Sequence, residues 1–264
     1  QRPHGVFLVV GPTGSGKTST LHAILGRLNS PEKKIWTAED PVEITQPGLQ
    51  QVQVQPKIGF DFAAALRAFL RADPDIILIG EMRDRETAHI GIEASLTGHL
   101  VLSTLHTNSA PETVTRLLDL GIDPVNFSDA CLGILAQRLV RTLCAKCKES
   151  YIADDEEIQF LERQYGLEFA AELKLKAGQA ELCRPVGCEQ CNNSGYRGRT
   201  GIHELLQVTP ALRELIYRQA TVAEIKNQAM KDGMRTLLQD GILKILKGDT
   251  DFQQLRQITF SDED

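Results

Sequence analysis

Eight consecutive residues near the amino terminus, Gly11-Pro12-Thr13-Gly14-Ser15-Gly16-Lys17-Thr18, with Ser19 after them, have the types and spacing needed to hold a polyphosphate. Successive backbone N–H groups can turn inward around phosphate oxygens only where glycine permits the path, which is the requirement at Gly14 and Gly16. Lys17 then reaches the outer phosphates, and the Thr18 hydroxyl is a ligand for Mg²⁺. A helix starting at the loop adds the positive end of its dipole. The spacing predicts that helix, because Leu21, Ile24, Leu25 and Leu28 recur on one face, and the apolar run Val6–Val10 predicts a strand before the loop.

Cleaving a phosphate also requires an acid that orients or deprotonates water, placed at the end of a neighbouring buried strand. Ile76-Ile77-Leu78-Ile79-Gly80-Glu81 has that shape, with Glu81 as the candidate. The residue before such a glutamate is often an aspartate that helps hold Mg²⁺; here it is Gly80, so other acids must share that work. Glu39, Asp40 and Glu43 follow the predicted strand Ile35–Ala38, and Glu43 is the first choice for a Mg²⁺ or water contact. A solvated turn would carry the same three acids. His106, after the predicted strand Leu100–Ser103, could sense the terminal phosphate or serve only the fold. Arg67 and Arg71 share a helix face and Arg83 follows Glu81, so each could stabilise phosphate charge, within the chain or across an interface. Salt bridges to Asp73, Asp75 or Asp84 would use the same arginines.

Four of the six cysteines form two Cys-x-x-Cys pairs, Cys144/Cys147 and Cys188/Cys191. Four thiolates in two knuckles suit tetrahedral Zn²⁺ in a closed structural site. The spacer between the pairs is longer than in compact zinc modules, which leaves Cys183 as a rival ligand, and redox chemistry is the alternative use of the motif. Cys131 lies on an apolar segment read as helical and buried.

The elements that must position these groups follow from composition and period. The chain has 264 residues, 42% hydrophobic and 24% charged, with a formal charge of -6. No apolar run approaches the roughly 20 residues that span a bilayer, so membrane contact is peripheral, and the acidic balance speaks against nucleic acid as a partner. Short apolar runs alternating with amphipathic segments predict an α/β core with a mainly parallel sheet over residues 1–143. Within it Asp61 caps a helix carrying Phe62, Leu66, Phe69 and Leu70, and Ser109 with Glu112 forms a capping box ahead of a stop at Gly121. A cysteine-bounded subdomain over 144–201 has poor periodicity and an acidic stretch, Asp154 to Glu157. Residues 202–264 form a helical region with a capping box at Thr221 and Glu224, an apolar face at Leu238, Ile242, Ile245 and Leu246, and a frayed acidic end, Ser261-Asp262-Glu263-Asp264. The start, Gln1-Arg2-Pro3-His4, reads as a cut from a longer protein.

Leu70 through Asp84, containing Arg71-Ala72-Asp73-Pro74-Asp75 and Gly80-Glu81-Met82-Arg83, resembles the signature of the secretion ATPases of type II secretion and type IV pilus machines, in which Gly-Glu replaces Asp-Glu. Ala38 to Glu43 resembles the aspartate box of that family, and Thr97-Gly98-His99-Leu100 through His106-Thr107-Asn108 its histidine box, which adds His99 as a candidate. The match continues through Ala136 to Val140, the cysteine pairs and Gly195 to Gly201. The resemblance implies a RecA-like P-loop NTPase core with a tetracysteine zinc subdomain and a helical carboxyl-terminal region, using ATP, Mg²⁺ and Zn²⁺. It implies a homo-hexamer at the cytoplasmic face of the inner membrane, working with a platform protein and a membrane anchor protein. Family members carry further amino-terminal domains that contribute arginines, so this stretch alone is expected to bind ATP but to turn it over slowly and assemble poorly. The cysteine pairs point to an assembly motor, and Leu135 to Cys144 to type II secretion. A pilus-retraction motor, a RecA-like nucleic-acid translocase and a non-hydrolytic switch are the alternatives.

Overall fold

The computed structural model describes residues 4–176 and 178–259; the acidic end Ser261–Asp264 lies outside them. Among the described residues the strands are β1 (Gly5–Val10), β2 (Ile35–Glu39), β3 (Leu49–Gln53), β4 (Ile76–Ile79), β5 (Leu100–Leu105), β6 (Cys131–Leu143), β7 (Glu149–Ile152), β8 (Glu181–Arg184) and β9 (Tyr196–Gln207). The helices are α1 (Lys17–Leu28), α2 (Phe62–Leu70), α3 (Arg85–Leu96), α4 (Ala110–Asp119), α5 (Pro124–Ala130), α6 (Asp155–Tyr165), α7 (Pro210–Tyr217), α8 (Val222–Lys231), α9 (Leu237–Leu246) and α10 (Phe252–Thr259).

Seven strands form one sheet in the order β3-β2-β4-β5-β1-β6-β9. The pairs β2·β3, β2·β4, β4·β5, β1·β5 and β1·β6 are parallel. Parallel strands covered on both faces need continuous apolar runs, and all four residues of β4 are buried for that reason. The four predicted strands are present. What the sequence pattern missed is β3, whose Leu-Gln-Gln-Val-Gln run belongs to a sheet edge, and the long strands β6 and β9. Cys131 is the first residue of β6 and not helical, though it is buried as expected, and burial pushes its thiol up to about 12.

The chain does not divide into the consecutive segments 1–143, 144–201 and 202–264. One compact unit runs up to Ala136 and includes Leu205–Met234; the other comprises Gln137–Glu204 and the residues from Arg235 onward. The carboxyl-terminal helices separate by the core that their apolar residues fill. Ile216, Ile225 and Ala229 join Leu8, Ile77 and Val101 in the first unit, whereas Ile242, Ile245 and Leu255 join Tyr165, Leu182 and Ile202 in the second.

Local signals explain the helix starts. Asp61 accepts from the Ala64 N–H, and Thr221 and Glu224 form a reciprocal box. Ser109 caps α4 through the Glu112 N–H, but the Glu112 carboxylate accepts from the Asn108 N–H instead of completing a box. The acidic stretch Asp154–Glu157, read as a break in the pattern, is itself a capping box, with three carboxylates in the first turn of α6 where the helix dipole favours them.

In the second unit Arg235 donates from Nε to Glu172 Oε2 at 3.0 Å, and Tyr165 donates to the same oxygen. The Arg235 guanidinium beside Glu172 holds that carboxyl below its ordinary 4.5. The pair therefore stabilises the unit above the unfolded carboxyl value and loses its contribution as pH falls through the lower folded value. Because Glu172 is half exposed, the amount is about 1 kcal/mol or less. Thermal melts of Glu172→Gln should lie below the parent at pH 7 and approach it as pH falls below the ordinary carboxyl value and through the lower folded one.

Candidate nucleotide site and metal centre

The parallel sheet brings the carboxyl ends of four strands to one edge. β1 runs into the phosphate loop, β2 ends at Glu39, β4 leads to Glu81 and β5 leads to His106. Ligands of open α/β sheets bind at this edge. The strand bearing Glu81 is not the immediate neighbour of β1; β5 lies between them.

Gly14 and Gly16 adopt φ of +79° and +87°, the left-handed region that only glycine enters cheaply. A Cβ at Gly14 would meet no protein atom within 4 Å, so backbone conformation, not protein packing, demands glycine there, and the open side of the loop is room for a ligand. Lys17 donates from Nζ to the carbonyls of Gly11 at 2.8 Å and Pro12 at 3.1 Å, folded back over the loop that it would serve. Replacing Gly16 with alanine should weaken nucleotide binding at least tenfold, measured by titration with a fluorescent ATP analogue, because Cβ strain of about 1–2 kcal/mol falls on the loop itself.

A cleft of about 90 Å³ opens beside the loop, lined by Thr18, His22, Glu39, Asp40, Glu43, Glu81 and Arg83 among others. The acids predicted from separate strands therefore line one cleft together with Thr18. A hydroxyl and several carboxylates are hard oxygen donors of the kind Mg²⁺ takes, so the residues present fit the cation. The triphosphate fits the glycine cradle and the amino terminus of α1.

The end of β5 sets the position of Glu81. Thr104 donates through its hydroxyl to the Gly80 carbonyl at 2.7 Å, and its own carbonyl accepts from Met82 N–H at 3.0 Å. The Glu81 carboxylate is 15% exposed and lies between two cations or donors: Arg83 Nε at 2.6 Å and His106 Nε2 at 3.3 Å. A side chain at Gly80 would be tightly placed, since a Cβ would lie 3.1 Å from the Ala38 carbonyl oxygen and 3.2 Å from the Phe62 ring, so those neighbours would have to give by a few tenths of an ångström.

Glu43 is exposed on the cleft wall, while Glu39 is 4% exposed. Glu39 accepts from the Thr37 hydroxyl at 2.7 Å, Gln51 Nε2 at 3.0 Å and His22 Nε2 at 3.1 Å. Thr37, Gln51, Thr104 and His22 were not singled out from sequence; only His22, one helical turn beyond Thr18, had a readable signal. Arg67 pairs with Glu86, and neither Arg67 nor Arg71 lines the cleft. His99 sits before β5 and His106 after it, roughly 20 Å apart along an extended strand. Its Nδ1–H caps the end of α3 by donating to the Ala94 carbonyl at 2.8 Å.

Cys144, Cys147, Cys188 and Cys191 bring all four sulfurs within 4.8 Å of one another. The separations Cys144–Cys188 of 4.0 Å, Cys147–Cys191 of 3.8 Å and Cys188–Cys191 of 3.8 Å match the edge of about 3.8 Å that a tetrahedron with Zn–S bonds near 2.3 Å requires. They are far beyond a disulfide bond. Cys183 is not in the cluster and faces the Ser150 hydroxyl instead. Burial opposes ionisation of Cys191, but N–H groups of Cys188 and Gly195 aimed at its sulfur, with the neighbouring thiols, bring it down to about 6, whereas burial and the same neighbouring thiols push Cys147 up to about 11. The donor set therefore suits a thiolate-bound zinc ion, and the long spacer between the pairs is taken up by α6 and the β7–β8 hairpin.

A phosphate loop, an extra strand between it and the acidic strand, and carboxylates at one sheet edge define the class as a P-loop nucleoside triphosphatase of RecA-like architecture. A family model described as type II/IV secretion system protein matches residues 1–257, and the chain belongs to that family. It is 51% identical over 258 residues to type II secretion system protein E of Dickeya dadantii, covering 98% of this chain and 49% of that protein. It is 48% identical over 254 residues to the type IV pilus assembly ATPase PilB of Thermus thermophilus, covering 96% and 28%. Among solved structures, the pilus retraction motor PilT with bound ADP superposes with a TM-score of 0.67 at 26% identity, over 99% of this chain and 62% of that one. The chain thus spans about half the length, or less, of the curated relatives named here.

Proposed function

We propose that this chain is the ATP-hydrolysing domain of a motor that assembles a type II secretion pseudopilus or a type IV pilus. The observation that carries the reading is the gathering of the phosphate loop, Thr18, Glu43, Glu81 and His106 at one edge of the sheet, in a chain about half identical to secretion and pilus assembly ATPases. The loop N–H groups and Lys17 grip the phosphates. Thr18 with the acids of the cleft would hold Mg²⁺, which would supply positive charge against the phosphates. Glu81 orients the attacking water and takes its proton, His106 reports on the terminal phosphate, and Arg83 tethers the carboxylate. Arg71, exposed at the end of α2, is available to a neighbouring subunit's phosphates, and Arg67 could turn to them by leaving Glu86.

Zn²⁺ on the four cysteines staples the second unit. The working form is a homo-hexamer at the cytoplasmic face of the inner membrane, contacting a platform protein and a membrane anchor protein, without nucleic acid. No helix among the described residues is long and apolar enough to cross a membrane. The retraction reading is favoured only by the likeness to PilT, whose identity is about half that of the assembly ATPases. Phosphate release with ATP and Mg²⁺ tests the activity, and native mass measurement tests for six copies; a chain that binds no nucleotide would end this reading.

A further inference from the structure

We propose that His22 is a positioning residue of the nucleotide cleft, acting through Glu39 to shape the cation end of the site. The inference rests on the reading of this cleft as a Mg²⁺–nucleotide site. His22 stands four residues after Thr18 on α1, hence on the same helix face, and it is 2% exposed. Its ring meets Glu39 through Nε2, whereas Nδ1 is buried with no hydrogen-bond partner. Since the Glu39 carboxylate accepts at Nε2 and nothing among the described residues accepts at Nδ1, the ring proton belongs on Nε2.

That bond is one part of a buried polar hub. Thr37 and Gln51 satisfy the other Glu39 oxygen, Gln51 also donates to the Ile44 carbonyl, and Gln46 accepts nothing from His22 but donates to its backbone carbonyl. The hub ties three pieces together: the helix that carries Thr18, the strand that ends at Glu39, and the segment after Asp40 that carries Glu43. A buried carboxylate keeps one orientation only while its donors are present. Removing the His22 donor frees Glu39 Oε2 and loosens the Thr18 helix from the strand that ends at Glu39, leaving the Gln46 bond to the residue-22 backbone carbonyl as a tie to the acidic segment. The phosphate loop itself, held by its own backbone, is untouched. His22 therefore governs how well the cleft takes a divalent cation and leaves the grip on phosphate alone.

The test uses two substitutions of the same chemistry that differ by one methylene. His22→Gln keeps an amide donor at the reach of Nε2, whereas His22→Asn falls short of Glu39. Binding of a fluorescent ATP analogue is titrated with and without Mg²⁺. His22→Asn should raise the Mg²⁺ concentration for half-maximal binding at least fivefold while changing Mg²⁺-free affinity less than twofold, and His22→Gln should stay within twofold of the parent on both counts. Thr37→Val, which removes another donor to Glu39 without changing shape, should reproduce the Mg²⁺-selective effect and stands in if His22→Asn does not fold. Equal weakening with and without Mg²⁺, an unchanged Mg²⁺ requirement in the Asn and Val variants, or failure of Gln to restore it would overturn the proposal. Loss of all nucleotide binding in the parent chain would instead sink the reading of the cleft.

Discussion

Glu81→Gln should bind ATP with an affinity within about twofold of the parent and hydrolyse it roughly 10²–10⁴ times more slowly, the range that one positioned general base supplies. The substitution keeps size and hydrogen-bonding reach but removes the basic oxygen pair. Glu81 suits that role because it combines confinement with access to the cleft: the Thr104 bonds fix its backbone, and His106 and Arg83 hold one oxygen each. Glu43 is exposed on the wall with no such framing, so Glu43→Gln should chiefly raise the Mg²⁺ requirement and lower turnover about tenfold or less. Single-turnover phosphate release, measured beside nucleotide binding, separates the two. A Glu81→Gln chain that retained turnover, while Glu43→Gln lost it, would exchange the roles.

Removing zinc should produce the largest change in stability. Elemental analysis is expected to find one zinc per chain, and Cys188→Ser to find almost none. Zinc sites in small modules contribute about 10–16 kcal/mol of apparent binding energy, comparable with the whole stability of a domain. The second unit has its own core around Tyr165, Leu182, Ile202 and Leu255, so it should not depend wholly on the metal. A loss of about 3 kcal/mol in a unit of this size lowers its melting temperature by more than about 10 °C. Calorimetry of the chelated chain should therefore show an early transition absent from the metal-loaded chain. Equal melting of the two, with zinc confirmed in one and absent from the other, would leave the cluster without a stapling role.

Much of the nucleotide cleft was legible because its chemistry is written in short segments. The phosphate loop needs glycines at fixed places, buried parallel strands need unbroken apolar runs, and an acid directly after such a run stands out. Gly80 shows the limit. Its type was visible but its surroundings were not, because the Ala38 carbonyl and the Phe62 ring that crowd the position come from other elements. The strand β3 was hidden for a related reason: an edge strand pairs through its backbone and can carry glutamines. Asp154–Glu157 misled in the opposite direction, since a dense acidic run suits both a solvated break and the first turn of a helix.

By itself, then, the sequence determined the local devices: a loop with the glycines and lysine that a phosphate cradle needs, four thiols that suit zinc, acids that could serve Mg²⁺ and water, and most helix caps. Tertiary structure decided which of those devices work together. It set β5 between the phosphate loop strand and the Glu81 strand, brought His106 to Glu81 and left His99 at the far end of the same strand. It closed the two cysteine pairs into one cluster without Cys183, and it buried His22 and Glu39 as partners. These pairings depend on distances between residues far apart in the chain. Such distances are set by strand order and packing, which no short stretch of sequence encodes.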